Sequence, residues 1–213
     1  MPQTCNCPSC VDSFAALGKH WRYSPDHRPE LTERQHEILT GLLMSDGTIW
    51  KNGEDNPQFQ ANMIEKDYLY WLDNLFGVLS LGVELRDNAT ESTNRVYSWR
   101  TRNLPELQQY QSWYKSGKKV WPTDIELSPT VLTHLYVGDG HYHESGYVEI
   151  GVNNEARNVD KLKSYFTDAG LPEPDHREST GVHKLVWSVE ESKVLFEYMD
   201  EAPPGFDYKF PKL

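Results

Sequence analysis

Two acids in this chain close the same local sequence. Residues 39–47 read LTGLLMSDG and residues 132–140 read LTHLYVGDG, so Asp46 and Asp139, 93 residues apart, each end a Leu-Thr-x-Leu-apolar-apolar-small-Asp-Gly stretch. One Asp-Gly at the end of an apolar helix is simply a turn. The same ending twice asks for a shared use, and two carboxylates used together hold a hard divalent cation through oxygen. A second set lies in the first thirty residues, where CNCPSCVDSFAALGKHWRYSPDHRP offers Cys7-x2-Cys10, His20 and His27, with Cys5 as an alternative ligand. Thiols and imidazoles suit zinc. The apolar anchors of this piece, Phe14, Leu17 and Trp21, are too few for a core, so Zn²⁺ would be its staple, at roughly 10–16 kcal/mol. Nine residues separate Cys10 from His20 and six separate the histidines, the pattern of a shortened Cys₂His₂ finger with a widened His pair.

The acids need elements to carry them. Thr32 with Gln35 makes a capping box ahead of the first motif, and Ser128-Pro129 places Pro at the first helical position ahead of the second. After the first motif, Phe59, Ala61 and Met63 alternate with Gln58, Gln60 and Asn62. After the second, Val148, Ile150 and Val152 alternate with Tyr147, Glu149, Gly151 and Asn153. Both read as half-buried strands. Amphipathic helices follow, with Leu69, Leu72, Leu75, Phe76 and Leu79 in one half and Val159, Leu162, Tyr165, Phe166 and Ala169 in the other, at the same spacing. Then come VYSWRTR (96–102) and VHKLVWS (182–188), each strand-like and each with a Trp. The helical patterns LPELQQYQSWY and EESKVLFEYM close the halves. Two halves of about 90 residues with one element order predict an α+β protein with internal pseudo-twofold symmetry.

The 213 residues include seven Trp and twelve Tyr, a packed globule's composition. No stretch reaches the ~20 apolar residues of a membrane span, and the N-terminus has no basic region followed by an apolar one. These readings predict a cytoplasmic, nucleoid-associated protein. Net charge is −11, against a polyanion partner at first sight. Yet residues 86–120 carry seven bases and only three acids, a basic segment within an acidic chain that suits a confined polyanion site.

The paired motif resembles that of the LAGLIDADG homing endonucleases in their single-chain, two-repeat form. The resemblance covers about residues 31–213 and is supported by RTRNLPEL, SGKKVWPTDIELSP and APPGFDYKFP. It implies two pseudo-twofold-related αββαββα-like repeats with saddle-shaped antiparallel sheets and the two motif helices at the central interface. The expected parts are a zinc-finger-like segment over 1–30, repeat 1 over 31–127 and repeat 2 over 128–213. Thr40, Gly41, Ser45, Thr133 and Gly138 are the small residues that would let the motif helices meet. His134 stands where the motif wants a small residue, and is expected to widen or tilt that interface. Adjoining helix tips would then present Asp46 and Asp139 side by side. At ~4 Å two unit charges repel by roughly 4 kcal/mol at intermediate dielectric, so the pair calls for Mg²⁺ or Mn²⁺ between them.

The implied activity is hydrolysis of double-stranded DNA at a specific site by a monomer. The alternatives are a catalytically silent DNA-binding protein and an RNA splicing maturase on the same fold. An intein origin is not expected, since the chain ends KFPKL without the His-Asn that splicing would use. Arg102, just before NLPEL, matches the family's catalytic basic residue, with Lys184 as its substitute in the second half. Period two puts Ser98, Arg100 and Arg102 opposite Tyr97 and Trp99, whereas the second half has Ser188 where the first has Arg100, which predicts unequal cutting of the two strands. Gln58, Gln60 and Asn62 carry amides that pair with adenine edges, and Asn153 lies on the matching strand of the second half. Lys115, Lys118 and Lys119 are candidate phosphate contacts, with Arg100, Arg102 and Lys184 completing the DNA-binding set.

Overall fold

The computed structural model describes residues 21, 24–53, 55–86, 95–115, 117–155 and 158–211. The chain forms two compact units. One comprises residues 1–35 and 48–108, the other 36–47 and 109–213. Compactness therefore divides the chain differently from the repeats: residues 36–47 and 109–127 of the first repeat belong to the second unit.

In the first unit Thr32 and Gln35 form the capping box that starts α1 (Glu33–Met44): the Thr32 amide donates to Gln35 Oε1 at 2.9 Å and the Gln35 amide to Thr32 Oγ1 at 3.2 Å. Strands β1 (Thr48–Trp50), β2 (Gln58–Met63), β3 (Ser80–Arg86) and β4 (Val96–Thr101) make an antiparallel sheet of order β1-β2-β4-β3. Phe59, Ala61 and Met63 are buried as the alternation predicts. Helix α2 (Lys66–Phe76) buries Tyr68, Leu69, Leu72 and Phe76. Phe76 meets Trp99 of β4 edge-on at 4.8 Å between centroids, and the Trp99 indole donates to Ser80 Oγ at 2.9 Å.

The second unit repeats this plan. Ser128 caps α3 (Pro129–Asp139), accepting from the Val131 amide at 3.3 Å. Strands β7 (Gly140–Tyr142), β8 (Val148–Gly151), β9 (Asp175–Ser179) and β10 (Val182–Trp187) form an antiparallel sheet of order β7-β8-β10-β9. Helix α4 (Val159–Asp168) buries Leu162, Tyr165 and Phe166, and Phe166 lies 4.7 Å from Trp187. The Trp187 indole donates to Pro172 O at 2.9 Å. Each half thus closes its sheet with a fully buried Trp against a helical Phe, and each indole N–H finds an acceptor, as burial demands. Helix α5 (Val189–Tyr198) opens with a complete Ser188–Glu191 capping box.

Two local readings change. LPELQQYQSWY forms a 3-10 helix over Pro105–Trp113. Leu104, Leu107, Tyr110 and Trp113 are all buried, and their spacing of three places them on one face of a three-residue turn. The interrepeat connection is a short hairpin, β5 (Tyr114–Lys115) with β6 (Lys118–Lys119). Gly117 supplies its positive φ of 76°.

Candidate active site

Helices α1 and α3 meet within the second unit at glycine. A Cβ built on Gly41 would lie 2.4 Å from Val131 O and 2.8 Å from His134 Cβ. One built on Gly138 would lie 2.3 Å from Ser45 Oγ and 3.5 Å from the Asp46 amide nitrogen. The imidazole of His134 is therefore accommodated because its neighbour is Gly41, and the helices keep their close approach. Of the other small residues, Ser45 turns its hydroxyl onto Gly41 O and Leu42 O, while Thr40 and Thr133 serve the closing segments. Thr40 Oγ1 is 3.3 Å from the Tyr110 hydroxyl, and Thr133 Oγ1 accepts from the Asp200 amide at 2.9 Å. Gly41→Ala is expected to cost about 1–3 kcal/mol, since Val131 O is backbone and has to move. Chemical denaturation of the variant, with unchanged m value, checks it.

At the adjoining tips Asp46 and Asp139 are exposed, and neither carboxylate takes a hydrogen bond or ion pair from the described residues. Crowding by the surrounding protein pushes the Asp139 carboxyl up to about 6, the charge of Asp46 adds to this, and Lys119 and Lys209 oppose it. Both lysines hold helix ends. Lys119 Nζ donates to Ser45 O at 2.5 Å and Gly47 O at 2.9 Å. Lys209 Nζ donates to Val137 O at 2.8 Å and Gly140 O at 2.9 Å. Each motif helix thus ends on a carboxylate with an ammonium on its terminal carbonyls, where a cation is favoured by the helix dipole. Burial lowers the Lys119 pKa, against the pull of Asp139 and Asp46.

Because the folded pKa of Asp139 exceeds its ordinary 3.8, protonating it stabilises the fold. That stabilisation is complete below pH 4 and is lost as pH rises through 6. Without metal, Asp139→Asn should therefore be more stable than the parent above pH 6. The difference is about 1 kcal/mol once solvent screening is allowed for, and it should vanish near pH 4. Melts in chelator at pH 7.5 and pH 4 measure it.

The other candidate residues lie in varied settings. Arg102 follows β4. Its Nε donates to Val78 O at 2.8 Å, its guanidinium sits 5.7 Å from the Trp21 ring centre, and burial lowers its pKa. Lys184 is ion-paired with Glu149, which His143 also approaches at 3.2 Å. Burial raises the Glu149 pKa, but the facing Lys184 and His143 outweigh it and hold the carboxyl low. The charges of Asp46, Lys119 and Lys209 act on Asp139.

Gln58 is buried at 5% exposure opposite Trp50, with its Oε1 unpaired, so its amide is not on an open face. Gln60 and Asn62 are partly exposed; Gln60 Nε2 donates to Asn62 Oδ1 at 2.8 Å and Ser98 Oγ at 3.1 Å. Arg100 pairs with Glu84 at 2.6 Å. Asn153 Oδ1 accepts from the His183 amide at 2.8 Å, tying β8 to β10. Lys115 and Lys118 are exposed cross-strand partners. The sequence pattern marks Lys119 only as a phosphate contact and gives Lys209 no role. Their shared signal is a lysine shortly before a proline at the close of each half, KVWP and KFP.

Among the described residues no group of three or more His, Cys, Asp and Glu is placed to hold a metal. Cys7, Cys10 and His20 lie outside the described residues; His27 ends a 3-10 turn, Pro25–His27.

The repeated element order, the glycine contact of two helices and the paired carboxylates define a two-motif α+β protein built around a helix-borne acid pair. The LAGLIDADG DNA endonuclease family matches over residues 36–192, and the chain belongs to that family. Its fold is like that of the homing endonuclease I-WcaI, solved bound to its DNA recognition sequence, with a TM-score of 0.79, 14% identity and 95% of each chain covered. The N-terminal LAGLIDADG domain of DUF199/WhiA gives a TM-score of 0.52 at 15% identity, over 80% of this chain and 85% of that one. In sequence the chain is 27% identical to Protein RecA of Mycolicibacterium flavescens over 206 residues, 84% of this chain and 47% of that protein. The RecA of Mycolicibacterium chitae is likewise 27% identical, over 87% of this chain and 48% of its own length. The chain thus spans about half the length of these relatives. No helix among the described residues is long and apolar enough to cross a membrane.

Proposed function

We propose that the chain is a site-specific endonuclease that hydrolyses double-stranded DNA with a divalent cation held by Asp46 and Asp139. The observation that carries this is the glycine contact at the helix tips, which brings Ser45 and the Asp46 backbone against Gly138, the residue before Asp139. The donor set fits Mg²⁺ or Mn²⁺: two accessible carboxylates repelling one another, without competing hydrogen bonds from the described residues, leave positions for water and phosphate. A bound cation supplies charge neutralisation on the phosphate, a more acidic attacking water and stabilisation of the leaving oxygen.

The chain's own part is positional and electrostatic. Lys119 and Lys209, each fixed on the carbonyls of one helix tip, put positive charge beside the acid pair, where negative charge grows as the water oxygen bonds to phosphorus and a P–O ester bond breaks. Lys115 and Lys118 at the hairpin suit phosphates, and the Gln60–Asn62 amides suit base edges. The test is incubation with DNA flanking the native locus, with Mg²⁺ and with chelator. A double-strand break at one place that needs the metal supports the reading. A gel shift without cleavage under either condition would identify a binding protein instead.

A further inference from the structure

Lys119 reaches the first motif helix from a connection that is itself held by buried charge. Glu155, in the 3-10 turn Asn153–Glu155, is 1% exposed. Its Oε1 accepts the Trp121 amide at 2.5 Å, and its Oε2 takes Lys161 Nζ at 3.3 Å and Asn158 Nδ2 at 3.1 Å. Lys161, on α4, donates in turn to the Trp121 carbonyl, and the Tyr165 hydroxyl one turn further along donates to the Pro122 carbonyl. On the other side the Val120 amide donates to Trp113 O at 2.7 Å. Residues 120–122 are thereby gripped through both faces of their backbone, beginning one residue after Lys119.

We propose that Glu155 and Lys161 are positioning residues for Lys119, a latch that keeps its ammonium on the Ser45 and Gly47 carbonyls and therefore beside the Asp46 tip. This rests on the endonuclease reading above for its catalytic consequence, though not for its geometry. An ion pair to a buried carboxylate is a costly way to secure a loop, because the Glu155 charge is taken out of water and the Lys161 ammonium mostly so. It gives something an apolar plug does not: a carboxylate and an ammonium can satisfy the N–H and the C=O of one peptide-bearing residue, fixing the loop in translation and in rotation. A lysine side chain has four rotatable carbons, so its head is held only as well as its Cα is. The second motif lacks this dependence. Lys209 is secured from the second motif helix itself, the Tyr136 hydroxyl donating to Lys209 O at 2.9 Å with Phe210 edge-on to the Tyr136 ring at 5.3 Å. The latch should thus govern one strand's cleavage and leave the other alone.

The test compares the full chain with a Glu155→Gln, Lys161→Met double variant, in which no buried charge is left alone and the glutamine oxygen still serves the Trp121 amide. The first readout is reductive methylation followed by mass spectrometry. Lys119 should label at least fivefold faster in the variant, approaching the exposed Lys118, while Lys209 stays within twofold. The second is strand-resolved cleavage, with Lys119→Met marking the strand that Lys119 serves. That strand should slow at least tenfold and the other less than twofold, at unchanged DNA affinity. Lys161→Arg, able to reach the same carbonyl, should keep most of the rate. Unchanged Lys119 labelling, equal acceleration at Lys209, or equal slowing of both strands would each overturn the proposal. If the parent cuts nothing, the endonuclease reading falls and the labelling alone judges the latch. If the double variant does not fold, Glu155→Gln alone takes its place in the labelling, where no change at Lys119 again overturns it.

Discussion

Asp46→Asn and Asp139→Asn should each reduce double-strand cleavage by about a thousandfold or more while leaving specific DNA binding intact. On the proposed two-carboxylate cation site each variant loses one of two anionic ligands; a cation-bound centre supplies several kcal/mol of charge stabilisation, and ~4 kcal/mol is a thousandfold. Binding survives because neither carboxylate takes a hydrogen bond or ion pair from the described residues, and removing a negative charge next to DNA favours association. The amide is isosteric, so the Gly41 and Gly138 contacts persist. Cleavage and gel-shift measurements on the same preparations decide it. A single variant that still cuts both strands at the parent rate shows that its acid holds no metal.

Lys119→Met and Lys209→Met should each slow one strand about a hundredfold. Each lysine is tied to one motif tip, and removing one preorganised donor near the reacting phosphate costs about 3 kcal/mol. Supercoiled plasmid would then accumulate as nicked circle, with the nick on opposite strands for the two variants. Arg102→Ala, by contrast, loses the Val78 carbonyl and Trp21 contacts, so its effect should fall mainly on stability. Equal slowing of both strands by either lysine variant would remove the one-lysine-per-tip assignment. The strand asymmetry expected from Arg100 and Arg102 against Lys184 and Ser188 is a separate expectation, and a nicking time course of the parent protein measures it.

Local patterns account for what the sequence by itself determined. The twice-written motif, the Thr32–Gln35 and Ser128 caps, the alternating strands and the paired tryptophans are encoded within a few residues of where they act. Short-range periodicity and hydrogen bonding decide such features, so the α+β repeat and the two motif helices that lead to Asp46 and Asp139 were legible. Only the tertiary structure decided which cations stand beside the aspartates. Lys119 lies 73 residues after Asp46, and Lys209 lies 70 after Asp139. Their roles come from long-range bonds to helix-end carbonyls that no periodicity announces. Arg102 and Gln58 show the converse. Alternation placed both on an open face, but the strand ends at Thr101, so Arg102 turns to the Val78 carbonyl, and Gln58 lies buried opposite Trp50. Sequence spacing tells which face of an element a side chain leaves from. What it meets there depends on neighbours brought by the fold, and a charge's effect falls off with distance in space, not along the chain.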